Sequence, residues 1–116
     1  MKKTIKIITV TAALFTLAGC SVGHLTRQKP VFEGHTLKDP DAFTLCLTPK
    51  WTEFNHGTRR NPIENGYDVI ASDSDFGAMA LTRVTKSADG GSQVTTWAQV
   101  RGYGNYWEIP VHQCMN

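Results

Sequence analysis

The chain has 116 residues, of which 12 are lysine or arginine and 10 are aspartate or glutamate, so its formal charge is +2. This length is enough for one small domain. Lysine and arginine never occur in a run longer than two residues, which argues against a nucleic-acid-binding protein.

Residues 1–19 have the three-part layout of a secretory signal peptide. Lys2, Lys3 and Lys6 form a positive start, an apolar stretch follows over 7–17, and two small residues end the segment. The apolar run of about 11 residues is too short for a transmembrane helix, which needs roughly 20. We therefore predict that residues 1–19 are a signal peptide that is removed.

The signal segment ends in Leu17-Ala18-Gly19-Cys20. These four residues resemble the lipobox of bacterial lipoproteins, in which a cysteine follows two small residues. The resemblance implies that the Cys20 thiol receives a diacylglyceryl group and that cleavage makes Cys20 the first residue. It also implies a further acyl chain, such as palmitate, on the new amine. Because each buried methylene contributes about 0.8 kcal/mol, two or more chains anchor a protein stably.

Ser21 follows the cysteine, where aspartate favours retention at the inner membrane in Gram-negative members of this family. The resemblance therefore implies the periplasmic side of the outer membrane, with the periplasmic face of the inner membrane as the alternative. Residues 20–37 are polar without an apolar period, which predicts a lipidated N-terminus and flexible tether. We expect the globular domain over 38–116.

Without residues 1–19, 97 of the 116 residues remain, and nine basic residues against ten acidic ones give a formal charge of −1. Cys46 and Cys114 are the two cysteines left beside an acylated Cys20. An even pair in an oxidising compartment predicts a disulfide, which would staple the small domain. The rival interpretation, a redox or catalytic thiol, has no C-x-x-C motif to support it.

Asp39-Pro40-Asp41 is typical of a helix start, because aspartate caps the first turn and proline fits its first position. We predict a helix over 40–54 and place Leu45 on its buried face. Pro49 removes a hydrogen bond inside that helix. The helix is therefore expected to be broken, either by a kink or by a new turn that begins after Thr48.

Residues 55–66 are predicted to be a loop. In it, Arg59 and Arg60 lie close to His56 in the sequence. Three such side chains are suited to binding an anion, although basic residues in a loop are more often simply solvated. We keep Arg59 and Arg60 as candidate partner-binding residues.

Three strands are predicted over 67–71, 78–86 and 92–100, separated by short turns that contain glycine. Short connections favour an antiparallel meander. In the third strand Trp97 shares a face with polar residues. A tryptophan in that setting is a candidate docking anchor for a protein partner.

Two interpretations remain open for the C-terminal residues. Residues 106–109 are compatible with a fourth strand, whereas Asn105 and Glu108 resemble a capping box that opens a helix. We favour the short helix. The expected fold is α+β: a three-stranded antiparallel meander with an N-terminal and a short C-terminal helix on one face, stapled by the disulfide.

The sequence contains no convincing catalytic constellation, and we expect no cofactor and no metal. Asp73 and Asp75 suit a turn better than a calcium loop, because the glycine and distal glutamate of that loop are missing. We therefore expect a small non-catalytic outer-membrane lipoprotein with a binding or structural role in the cell envelope and an envelope protein as partner. The alternative is an inhibitor or immunity-type lipoprotein that blocks an envelope-active enzyme.

Overall fold

A computed structural model describes residues 22–99 and 104–116. The predicted signal peptide 1–19 and Cys20 lie outside the described residues. In chain order the elements are α1 (22–26), β1 Phe32–Thr36, α2 Pro40–Thr52, β2 Arg59–Ile63, β3 Gly66–Asp73, β4 Gly77–Lys86, β5 Ser92–Ala98 and α3 Gly104–Cys114.

The five strands form one antiparallel sheet in the order β1-β5-β4-β3-β2. Strands β2 to β5 follow the chain order, and β1 adds to the free edge of β5, with Phe32 opposite Thr96. Helices α2 and α3 pack on one face, which we call the inner face. Helix α1 packs on the opposite, outer face.

The expectation of a three-stranded sheet is wrong, because β1 and β2 extend the sheet at both edges. Strand β2 contains Pro62, which is tolerated at a sheet edge because its missing N–H has no partner to meet there. Strand β1 contains Gly34, and the Phe32 ring and Met115 occupy the space beside it. Neither segment has the apolar alternation that marks a half-buried strand.

Within the segment predicted as a tether, residues 22–26 form α1 and residues 32–36 form β1. The three strands expected from the sequence are β3, β4 and β5, and the C-terminal residues form α3 rather than a strand. The sheet is therefore covered on both faces, with its two edges made by the shortest strands.

The inner face carries the larger core. Helix α2 contributes Phe43, Leu47 and Trp51 to this core, and their spacing of four residues keeps them on one side of the helix. Residues from α3 and from the three central strands complete it: Trp107, Val111 and Cys114, with Val69, Ala71, Ala80, Val84, Val94 and Ala98.

Helix α2 begins as the sequence predicts, since the Asp39 carboxylate accepts a hydrogen bond from the backbone N–H of Ala42 at 2.8 Å. It runs through Pro49 to Thr52 as one helix. The placement of Leu45 on the buried face is wrong. Leu45 is 56% exposed on the solvent-facing side of α2, because the buried side of the helix is the one that carries Phe43 and Leu47.

Cys46 and Cys114 form a disulfide that joins α2 to α3, with Cα atoms 5.8 Å apart. Elsewhere along the same two helices, the Trp51 and Trp107 rings meet edge to face at 5.1 Å between centroids. The Trp51 indole N–H also donates to the backbone carbonyl of Trp107 at 3.2 Å. The predicted pairing of the two cysteines is confirmed, and it fixes the two helices side by side.

Replacing Cys46 and Cys114 together by alanine should lower the free energy of unfolding by about 4 kcal/mol. The disulfide closes a loop across a sequence separation of 68, and the chain-entropy cost of such a loop sets this magnitude. Denaturant titration of both proteins measures the difference. Thiol titration of the denatured, unreduced wild-type protein should find neither cysteine free; two free thiols, or an unchanged unfolding midpoint, would contradict the pairing.

Candidate functional site

The outer face of the sheet carries an apolar row of side chains. Strand pairing places Trp97 beside Leu81 and Leu81 beside Ile70. These residues and Ala78 pack with Leu25 of α1. Only 1% of Leu25 is exposed, so α1 covers this row with a side chain from the same chain.

Trp97, the docking anchor suggested by the sequence, lies beneath α1 and is 9% exposed. Its indole N–H is buried without a hydrogen-bond partner among the described residues. An unpaired buried donor costs about 1–3 kcal/mol. The Arg83 guanidinium lies 5.8 Å from the indole ring. A partner approaching here meets α1 and Arg83, not the indole.

A polar row crosses the outer face next to the apolar one. At its centre the Arg83 guanidinium donates two hydrogen bonds to the Asp68 carboxylate, at 3.0 and 3.1 Å. Hydrogen bonding to Asp68 raises the pKa of Arg83, against the opposing effect of burial. Asp68 is 4% exposed. The pair compensates its own charges, so it stabilises the sheet rather than offering a charge to a ligand.

The two arginines suggested as partner-binding residues point to opposite faces of the sheet. They are neighbours in β2, and side chains alternate along a strand. Arg59 pairs with Ile70 of the apolar row, and Arg60 pairs with Val69 of the inner core. The structure therefore separates Arg59 from Arg60 and keeps His56 with Arg60 alone.

Arg60 is held in place by three neighbours. Its Nη1 donates to the Asp41 carboxylate at 2.8 Å and to the Thr44 hydroxyl at 3.2 Å. Its guanidinium stacks on the Tyr67 ring at 4.2 Å from the centroid, a cation–π contact. A side chain ordered in this way loses little conformational entropy when a partner binds.

Beside Arg60, a shallow groove of about 630 Å³ follows the side of α2 that faces away from the sheet. We call it the α2 groove. Apolar groups of α2 form its floor. Polar side chains from α2, from the loop over residues 53–58 and from β2 form its rim. Its lining is Leu45, Thr48, Pro49, Thr52, Glu53, His56 and Arg60.

The polar groups that α2 contributes to the lining of the α2 groove are acceptors. The Thr48 and Thr52 hydroxyls donate to the carbonyls of the residues four positions earlier, both at 2.7 Å, so their lone pairs are left for a ligand. Pro49 has no N–H, so the Leu45 carbonyl lacks its helical i+4 donor. A ligand with an apolar group and hydrogen-bond donors, such as a peptide segment, suits this groove.

Leu45 is the residue of the α2 groove that the sequence reasoning assigned to the core. The sequence does indicate that Leu45 is exposed, because it lies two positions after Phe43 and the two cannot share one face of a helix. Among the described residues, other exposed large apolar side chains on or next to the two helices are Phe54, Tyr106 and Ile109.

Asp89 lies in the turn between β4 and β5, where it accepts several hydrogen bonds. Hydrogen bonds from the Ser87 hydroxyl, the Gly91 N–H and the His35 ring lower the pKa of Asp89 to about 2. These contacts join β1 to the turn. Asp73 likewise accepts from the N–H groups of Asp75 and Phe76, as expected of a turn.

Residues 22–99 and 104–116 contain no group of three or more histidine, cysteine or acidic side chains placed to hold a metal ion. None of the helices in these ranges is long and apolar enough to cross a membrane. Comparison of the chain with protein-family models, curated proteins and solved structures finds no match.

Proposed function

We propose that this protein is a small, non-catalytic outer-membrane lipoprotein that is anchored through Cys20, faces the periplasm and binds an envelope protein through the α2 groove. The anchor is argued from Leu17-Ala18-Gly19-Cys20 and the signal segment before it. The binding role is carried by one observation: a groove with an exposed leucine on its floor lies beside an arginine that is already ordered.

The chemistry of the α2 groove favours binding over catalysis. Its threonine hydroxyls already donate to helix carbonyls, so neither is paired with a base as a nucleophile would be. Central apolar contact with a polar rim is the usual anatomy of a protein interface. The Leu45 floor and the Arg60 rim reproduce that arrangement on a small scale.

Replacing Cys20 by alanine should abolish the incorporation of labelled palmitate, because no other thiol follows the small pair Ala18-Gly19. The protein should remain unprocessed. Ser21→Asp is the matched control: it keeps the cysteine, so it should still be labelled, and it should move to the inner-membrane fraction. Palmitate on the Cys20→Ala protein would contradict the anchor.

Replacing Leu45 by aspartate should remove binding of the partner, because a carboxylate would be placed on the apolar floor of the groove. Leu37→Asp is the matched control, since Leu37 is 83% exposed and does not line the groove. Substitutions at such exposed positions usually change stability by less than about 0.5 kcal/mol. Both variants should therefore remain folded.

The measurement is affinity capture from envelope extract with detergent-solubilised mature wild-type protein and the two variants. For a partner that both the wild type and Leu37→Asp capture, the captured amount should be at least about tenfold lower with Leu45→Asp. This decrease corresponds to about 1.4 kcal/mol of lost binding free energy. Capture of the same proteins in equal amount by all three would contradict a binding role for the groove.

A further inference from the structure

The charged side chains that line the α2 groove are unequally compensated. Arg60 pairs with the Asp41 carboxylate at 2.8 Å, so its charge is already balanced. Glu53, at the other end of the groove, is exposed and makes no ion pair with any described residue. Lys50 lies one turn earlier in α2 but does not line the groove. The uncompensated charge of the described lining is therefore the carboxylate of Glu53.

The position of Glu53 in the helix adds to this negative charge. Glu53 is the residue that caps the C-terminal end of α2. The aligned peptide dipoles of a helix place roughly half a negative charge at that end. A carboxylate there adds to the negative potential instead of compensating it. A cation is therefore the complementary group for a partner to bring to this end of the groove.

The uncharged acceptors of the groove indicate the conformation of its ligand. The hydroxyl lone pairs of Thr48 and Thr52 and the carbonyl of Leu45 are available to donors. The backbone N–H groups of an extended segment are free to donate to them. A helix uses most of its N–H groups for its own hydrogen bonds. An extended segment therefore suits this lining better than a helix does.

The length of the groove sets the spacing of the side chains that it can bind. Leu45 and Glu53 are eight positions apart, which corresponds to about 12 Å along α2 at roughly 1.5 Å per residue. Four residues of an extended segment cover about 13 Å, and an even spacing keeps both side chains on one side. Between the two ends, Pro49 offers an apolar surface to the aliphatic stem of a lysine or arginine.

We propose that the α2 groove binds an extended segment of an envelope protein in which an apolar residue contacts Leu45 and a lysine or arginine about four positions away pairs with Glu53. This inference rests on the proposed binding function of the groove. Arg60, ordered by Asp41, donates its remaining N–H groups to backbone carbonyls of the segment. A segment with an acidic residue at the same place is rejected by the carboxylate of Glu53.

The first test selects ligands from a library of short random peptides displayed on phage. The bait is the detergent-solubilised mature protein, and the Leu45→Asp protein removes peptides that bind elsewhere. The selected peptides should share a lysine or arginine about four positions from an apolar residue. Selected peptides without a basic residue, or with an acidic one there, would overturn the inference and leave the binding function standing. Absence of any peptide that prefers the wild type to Leu45→Asp would overturn both.

The second test measures the affinity of a selected peptide for Glu53→Lys, with Glu64→Lys as the matched control. Both glutamates are exposed, and Glu64 does not line the groove. Lysine suits the C-terminal end of a helix, so Glu53→Lys should remain folded with an unchanged unfolding midpoint. It should bind the peptide at least about tenfold more weakly than the wild type, and Glu64→Lys less than about twofold more weakly. Equal affinities of the two variants would overturn the pairing with Glu53.

Discussion

The packing of Leu25 on the apolar row formed by Trp97, Leu81 and Ile70 is the contact on which the rest of the structure depends. A five-stranded sheet with helices on one face alone would leave this row in water. Burying one leucine side chain stabilises a fold by roughly 2 kcal/mol. Helix α1 makes this contact, and the same chain goes on to form β1 at one edge of the sheet.

The inner face is organised by a different constraint. The Cys46–Cys114 disulfide and the Trp51–Trp107 contact fix α2 beside α3. The end of α3 is tied in addition to the segment between β1 and α2, because the Lys38 ammonium donates to the Cys114 carbonyl at 2.9 Å. With its inner side fixed in this way, α2 presents its opposite side as a rigid floor, and that side is the α2 groove.

Elements that follow from local pattern could be predicted from the sequence: the capped start of α2, the three central strands and the pairing of the cysteines. Strands β1 and β2 could not, because Gly34 and Pro62 weaken any strand pattern and their pairing depends on neighbours far along the chain. The described part of α1, residues 22–26, is too short to show a helical period. In the candidate site, treating 55–66 as a loop hid the alternation that separates Arg59 from Arg60. Leu45 was misplaced because an apolar residue in a helix was taken to be buried.

The most direct test of this account is the free energy of unfolding of Leu25→Ala, measured by denaturant titration of the mature protein beside Leu37→Ala. Leu25 is 1% exposed and Leu37 is 83% exposed, so the same chemical change is made with and without burial. If α1 covers the outer face, Leu25→Ala should lose about 2–5 kcal/mol, as buried leucines do, and Leu37→Ala should lose less than about 0.5 kcal/mol. An equally small loss for both variants would show that α1 does not hold the sheet, and would contradict the account.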